Sequence, residues 1–240
     1  MTAAAPPGIL VDRIGVRLGR REILREVTLT AAAGQITYLL GRNGAGKSTL
    51  LRAIAGIVPL SSGSISVNGG EAARAARPLA EIGTHLHSDG FHHGHTGVRH
   101  LRWLATASGI DQDRVETVLD IAGLTPFAGD RISGYSLGMR QRLGIAGALL
   151  GDAPTLVLDE PLNGLDIMGI RWVRGLLAEL AAEGRSILVA SHLFDEVQRN
   201  GHRVAVLDGG RIVADTPIAD FVDGHRSLED AYLVAIGEAR

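Results

Sequence analysis

The sequence predicts an α/β fold with a parallel sheet at its core, flanking helices and an inserted helical segment. Three observations predict it. A glycine-rich loop, GRNGAGKST at residues 41–49, lies between a short apolar run, QITYLLG, and the helix-like STLLRAIAGIV. Two more runs, TLVLDE at 155–160 and SILVASH at 186–192, stay apolar almost to their polar ends. Strands of a parallel sheet read this way because both faces are covered. In the intervening segment, TGVRHLRWLATASG, DQDRVETVLDIAG and GMRQRLGIAGALL repeat apolar residues at steps of three and four, the period of an amphipathic helix.

The loop fits the pattern G-x-x-x-x-G-K-[ST], and its setting between strand and helix gives the pattern physical meaning. Gly41, Gly44 and Gly46 let the backbone turn until successive N–H groups point at one anion. The helix beginning near Lys47 adds the positive end of its dipole. The nucleotide-binding set is therefore Gly41, Arg42, Asn43, Gly44, Ala45, Gly46, Lys47, Ser48 and Thr49. Lys47 is placed to reach the β- and γ-phosphates, and the Ser48 hydroxyl to ligate Mg2+. Composition singles out the same position: of 24 Lys and Arg residues, 23 are arginine and Lys47 is the one lysine. A chain that uses guanidinium everywhere else sets here a compact point charge on a flexible stem, suited to a tight anionic cavity.

The other two strands end in chemistry. Ligands collect at the carboxyl ends of parallel strands. Asp159 stands there to hold Mg2+, and Glu160 to polarise the water that attacks the γ-phosphate. His192 ends SILVASH, within reach of the same phosphate. The catalytic set is thus Glu160, His192 and Lys47, and the metal set Ser48 and Asp159. Further on, RVAVLDGGRIVAD reads as a hairpin about Asp208, Gly209 and Gly210. SLED at 227–230 reads as the start of a terminal helix.

Composition narrows the function classes. A net charge of −2 over 240 residues gives no reason to expect nucleic acid or an anionic membrane as partner. With no cysteine, disulfides, thiolate metal sites and cysteine nucleophiles are excluded. The start, MTAAAPPGILVDR, lacks the basic and apolar regions of a secretory signal. No window reaches the ~18 apolar residues that span a bilayer. A cytoplasmic location is expected.

Taken in order, the motifs resemble the ATP-binding subunit of an ABC transporter. That family orders its phosphate loop, Q-loop, signature, Walker B strand, D-loop and switch histidine along the chain. Here the order reads GRNGAGKST, a histidine-rich stretch, YSLGMRQRLGIA at 135–146, TLVLDE, NGLD at 163–166 and SH at 191–192. The resemblance implies a P-loop NTPase fold: a RecA-like core sheet with flanking helices, and an inserted α-helical subdomain carrying the signature. The core lobe would take about residues 8–87 and 153–216, the helical subdomain about 88–152 and a helical tail 217–240. The resemblance also implies hydrolysis of ATP with Mg2+, a separate integral-membrane permease that holds the subunit at the inner membrane face, and a second nucleotide-binding subunit. In the head-to-tail pair, Ser136 and Gly138 of one subunit would cap the γ-phosphate held by the other, with Asp166 crossing the seam.

The chain departs from the family pattern in three places. YSLGM replaces the usual LSGGQ, so Leu137 and Met139 stand for a glycine and a glutamine. This variant resembles the bacitracin and lantibiotic type of antibiotic-resistance exporter. Leu18 stands where the family has an aromatic stacked on adenine, so the base would be held by apolar contact. His87 stands at the Q-loop glutamine and is counted with the nucleotide-binding residues. Imidazole replaces poorly the oxygen that Mg2+ prefers, so direct ligation is not expected there.

His87 belongs to THLHSDGFHHGHTG, residues 84–97, which holds five of the nine histidines. It admits three readings: a metal site, a solvated loop, or a permease-contacting surface whose protonation tunes coupling near pH ~6 to 7. Other functions fit less well. Ribosome-acting and DNA-acting ABC ATPases carry tandem domains or long coiled coils, and this chain has neither. A P-loop kinase would lack the signature and D-loop. A regulatory module with weak catalysis would not keep Lys47, Asp159, Glu160 and His192 together.

Overall fold

The computed structural model describes residues 8–70, 78–86, 90–92 and 94–238. Its strands are β1 (Ile9–Leu18), β2 (Arg21–Ala31), β3 (Ile36–Leu40), β4 (Ser62–Val67), β5 (Ile82–His85), β6 (Thr155–Asp159), β7 (Ser186–Ala190), β8 (Arg203–Asp208) and β9 (Arg211–Pro217). Six of them form one sheet in the order β5-β6-β7-β3-β8-β9. Within it β5, β6, β7, β3 and β8 run parallel, and β9 turns back antiparallel to β8. The helices are α1 (Lys47–Ile54), α2 (Pro78–Glu81), α3 (Gly97–Ser108), α4 (Asp113–Ile121), α5 (Leu137–Leu149), α6 (Ile167–Ala182), α7 (Phe194–Asn200), α8 (Ile218–Val222) and α9 (Leu228–Ala235).

The apolar runs alternate between two buried faces, as a strand period of two requires. Ile36, Tyr38 and Leu40 of β3 face one side together with Leu156, Leu158, Ile187 and Val189. That side packs on Leu143 of α5, Val173 and Leu177 of α6, and the cluster continues to Leu101 of α3 and Val115 of α4. Leu39, Val157, Leu188 and Ala205 face the other side, against Leu50, Leu51 and Ile54 of α1. Beyond α1 lies a second, antiparallel sheet in the order β2-β1-β4, whose Ile9, Val11 and Leu29 close the same cluster. Each fully buried aliphatic chain contributes about 1.5–3 kcal/mol to holding these layers together.

Local chemistry sets the helix ends and the hairpin turn, and the helix start at 227–230 and the hairpin take the form expected from the sequence. Thr96 caps α3 by accepting from the Arg99 N–H at 3.3 Å, and Gly109 ends it in the left-handed region at φ 64°. Ser227 caps α9 by accepting from the Asp230 N–H at 3.1 Å. The hairpin pairs Asp208 with Arg211 across Gly209 and Gly210, whose φ values of 52° and 79° make a two-residue type I′ turn. The β2-β1-β4 sheet was not read from the sequence. Its strands carry Arg and Glu on an open face and bulged registers between β1 and β2, so their alternation is broken.

Candidate active site

The phosphate loop leaves the carboxyl end of β3, the central strand, and enters α1. Gly44 and Gly46 take φ values of 82° and 111°, which a residue with a Cβ rarely adopts. A Cβ on Gly46 would also lie 2.8 Å from Leu24 Cδ2. The loop is thus pressed onto β2 as well as bent. No side chain caps α1 at Gly46, so its first N–H groups are left to a ligand. Lys47 is only 8% exposed. Its Nζ donates to the Gly41 carbonyl at 2.7 Å and the Arg42 carbonyl at 3.4 Å, which curls the ammonium back over the loop.

A cavity of about 1150 Å³ opens over the loop and is lined by every residue from Arg42 to Thr49, with Asp159 and Glu160. Gly41 joins through the carbonyl that Lys47 holds. The last residue of β6 is Asp159, and the Glu160 N–H donates to the Ala190 carbonyl at 3.0 Å, tying the ends of β6 and β7 together. Glu160 is a non-glycine residue with φ 50°, a left-handed conformation that costs roughly 1–2 kcal/mol. Such strain persists where the surroundings over-determine it and gathers at active sites. The Glu160 Oε2 lies 2.8 Å from Nδ1 of His192. One carboxylate and one imidazole are therefore held together at the mouth of the phosphate cradle.

Leu18 is 49% exposed at the end of β1 and does not line the cavity, whereas Arg20, Arg21 and Ile23 of the following turn and strand do. His87 and His93 fall outside the described residues. Ser136, Gly138 and Asp166 do not line the cavity either. The Ser136 Oγ caps α5 by accepting from the Met139 N–H at 3.1 Å, and Asp166 Oδ1 caps α6 by accepting from the Gly169 N–H at 2.7 Å. These two helix starts form one surface: Leu137 packs on Gly164, and beside them Ile167 and Met168 stand 77% and 65% exposed.

The histidine stretch divides. His85 is not part of a solvated loop; it is the last residue of β5 and 4% exposed. His100 is buried just beyond, edge-on to Phe91 at 5.1 Å between ring centroids. Burial, His92 and Arg99 lower the pKa of His95, while burial and then His95 lower that of His100. Both shifts move titration to lower pH than that of an unperturbed imidazole. Among the described residues no three of His, Cys, Asp and Glu are grouped to hold a metal ion.

Sequence reasoning missed Gln141, which is 2% exposed, lines the cavity and donates from Nε2 to the Glu160 carbonyl at 2.9 Å. Its neighbours in YSLGMRQRLGIA were read as a helix start, and nothing local marks position 141 as reaching Glu160. The arginines at 20 and 21 were missed for the same reason: a turn between bulged strands carries no periodic signal.

The sequence profile of the ABC transporter family matches residues 24–163 of this chain, from β2 through the phosphate loop to the turn after β6. This chain belongs to the ABC transporter family. The lantibiotic transport ATP-binding protein SrtF of Streptococcus pyogenes is 32% identical over 214 residues, covering 89% of this chain and 91% of that protein. The bacitracin transport ATP-binding protein BcrA of Enterococcus faecalis is 32% identical over 225 residues, covering 92% of this chain and 73% of that protein. A solved structure described as an ATP binding subunit of an ABC transporter superposes with a TM-score of 0.86 at 27% identity, over 95% of this chain and 98% of that one. The fold is that of a P-loop NTPase, and the cassette is an ATP-binding, ATP-hydrolysing transporter subunit. Among the described residues no helix is long and apolar enough to cross a membrane.

Proposed function

We propose that this cassette hydrolyses ATP to drive export of an antibiotic or antimicrobial peptide through a separate integral-membrane permease. Its relatives SrtF and BcrA, named for lantibiotic and bacitracin transport, support that cargo class. The permease would hold the cassette at the inner face of the membrane, since no described helix spans one. The observation that carries the hydrolytic reading is the Glu160 carboxylate, hydrogen-bonded to His192 at 2.8 Å beside the phosphate loop.

In this reading Lys47 exchanges the Gly41 and Arg42 carbonyls for the β- and γ-phosphate oxygens, a short swing for a flexible stem. The loop N–H groups and the α1 terminus hold the phosphates. Ser48 and Asp159 line the same cavity and offer a hydroxyl and a carboxylate, the hard oxygen donors that suit Mg2+. When bound, the ion neutralises charge on the transferring phosphoryl group. Glu160 takes a proton from the attacking water as general base. His192 fixes that carboxylate and reaches towards the γ-phosphate. Adenine would lie against Ile23, beside Arg20 and Arg21 of the cavity lining, with apolar contact in place of ring stacking.

A second cassette completes the site. Ser136, Gly138 and the start of α5 lie away from their own chain's cavity and beside Asp166, on a surface with exposed Leu137, Ile167 and Met168. In a head-to-tail pair they would close over the other subunit's γ-phosphate, where a helix N-terminus stabilises added negative charge.

Replacing Glu160 by Gln tests the hydrolytic reading. The Glu160→Gln chain should lose turnover by at least about a hundredfold, as expected for a lost general base. It should keep ATP affinity and run as a dimer with ATP in size-exclusion chromatography. Undiminished phosphate release would remove Glu160 from the mechanism.

A further inference from the structure

The carboxylate of Glu160 is aimed by its own peptide, and that peptide sits in the left-handed region at φ 50°, unfavourable for a residue with a Cβ. The peptide is gripped on both sides. Its N–H donates to the Ala190 carbonyl at 3.0 Å, and its carbonyl accepts from the Asn163 N–H at 3.1 Å and from Gln141 Nε2 at 2.9 Å. Of these partners only Gln141 acts through a side chain, and it comes from α5, 19 residues upstream in sequence.

The Gln141 amide is itself locked. Its oxygen lies 2.6 Å from Nε2 of His85, across 56 residues of sequence. The Glu160 carbonyl can only accept, so the Gln141 NH2 must face it and the Gln141 oxygen must face His85. That oxygen in turn requires a proton on His85 Nε2. Were Nε2 the acceptor, the amide would flip and set an oxygen against the Glu160 carbonyl. His85 is held in place by packing: its ring lies against the α5 backbone at Gly144, where any Cβ would fall inside the ring's van der Waals surface. With His85 at 4% exposure and Gln141 at 2%, water does not compete for these bonds.

We propose that Gln141 and His85 are positioning residues for ATP hydrolysis. Gln141 clamps the Glu160 peptide in its strained conformation, and the His85 N–H holds the Gln141 amide in the orientation that does so. The proposal rests on Glu160 being the group that takes the proton from water. Because β5 and α5 meet at His85 and Gly144, a shift of either element is transmitted to the Glu160 peptide without passing through the phosphate loop.

The test compares full-length chains carrying Gln141→Met, Gln141→Glu, His85→Met and His85→Gln, with Glu160→Gln alongside. Folding is checked by thermal unfolding, and kcat, KM and ATP affinity are measured for each. Gln141→Met and Gln141→Glu remove or reverse the clamp, and His85→Met removes the N–H. Each should lower kcat about tenfold, with ATP affinity held within about twofold. His85→Gln, which keeps an N–H at similar reach, should recover most of the lost rate. The proposal is overturned if both Gln141 variants turn over normally, if affinity falls in step with kcat, or if His85→Gln is as slow as His85→Met. An active Glu160→Gln chain would remove the general-base reading and the clamp with it. An inactive Glu160→Gln beside normal Gln141 variants would sink the clamp alone.

Discussion

Lys47 shows how much one side chain's shape matters in this molecule. It is the one lysine among 24 basic residues, 8% exposed, with its ammonium against two loop carbonyls. A guanidinium keeps the charge but is broad and planar. Lys47→Arg should therefore weaken ATP binding by about tenfold or more, read by titration with a fluorescent nucleotide; unchanged affinity would contradict the point-charge argument. His100 makes a different residue-scale statement. Burial, and then His95, lower its pKa, so below about 6.5 the unfolded chain binds more protons than the folded one. Its contribution to stability is complete above that pH and is lost as pH falls through the window down to the lowered folded value. Thermal unfolding from pH 7 to 5.5 should show a falling midpoint, and His100→Gln should make the profile flatter.

Between elements, the catalytic groups depend on how helices are fastened to the sheet. Arg174 of α6 grips Glu196 of α7 with two hydrogen bonds of 3.0 and 2.6 Å. The pair is largely shielded, with side chains 30% and 14% exposed. Its first effect is to hold α7, which begins two residues after His192. Glu196→Ala leaves a guanidinium without its partner and should cost about 1–3 kcal/mol in urea unfolding. Because His192 lies just before α7, kcat should fall more than ATP affinity does. A variant as stable as the parent would show that the pair is only a surface contact of the kind that contributes little.

For the whole molecule, nucleotide binding and folding are linked. The cavity joins the phosphate loop after β3, the end of β6 and the β1–β2 turn, so a ligand there is bound by the folded chain alone. ATP at a hundredfold excess over Kd should raise stability by about 2.7 kcal/mol, seen as a higher unfolding midpoint. Lys47→Ala should abolish that rise; a rise that survives would place the nucleotide elsewhere. The same global view separates what was legible in the sequence from what was not. The phosphate loop, the parallel strands leading to Asp159, Glu160 and His192, the start of the terminal helix and the hairpin were legible, because period, cap chemistry and glycine freedom are local properties of the chain. Local reading failed where distant segments meet. Neither the arginines at the cavity rim nor the placement of Leu18 outside it could be read from bulged β1 and β2. His85 looked like one imidazole in a loop, and Gln141 like one more polar residue on a helix. Only the crossing of α5 over β5 buries them together and joins them to Glu160, since a contact spanning 56 residues is decided by packing and leaves no trace in the spacing of either segment.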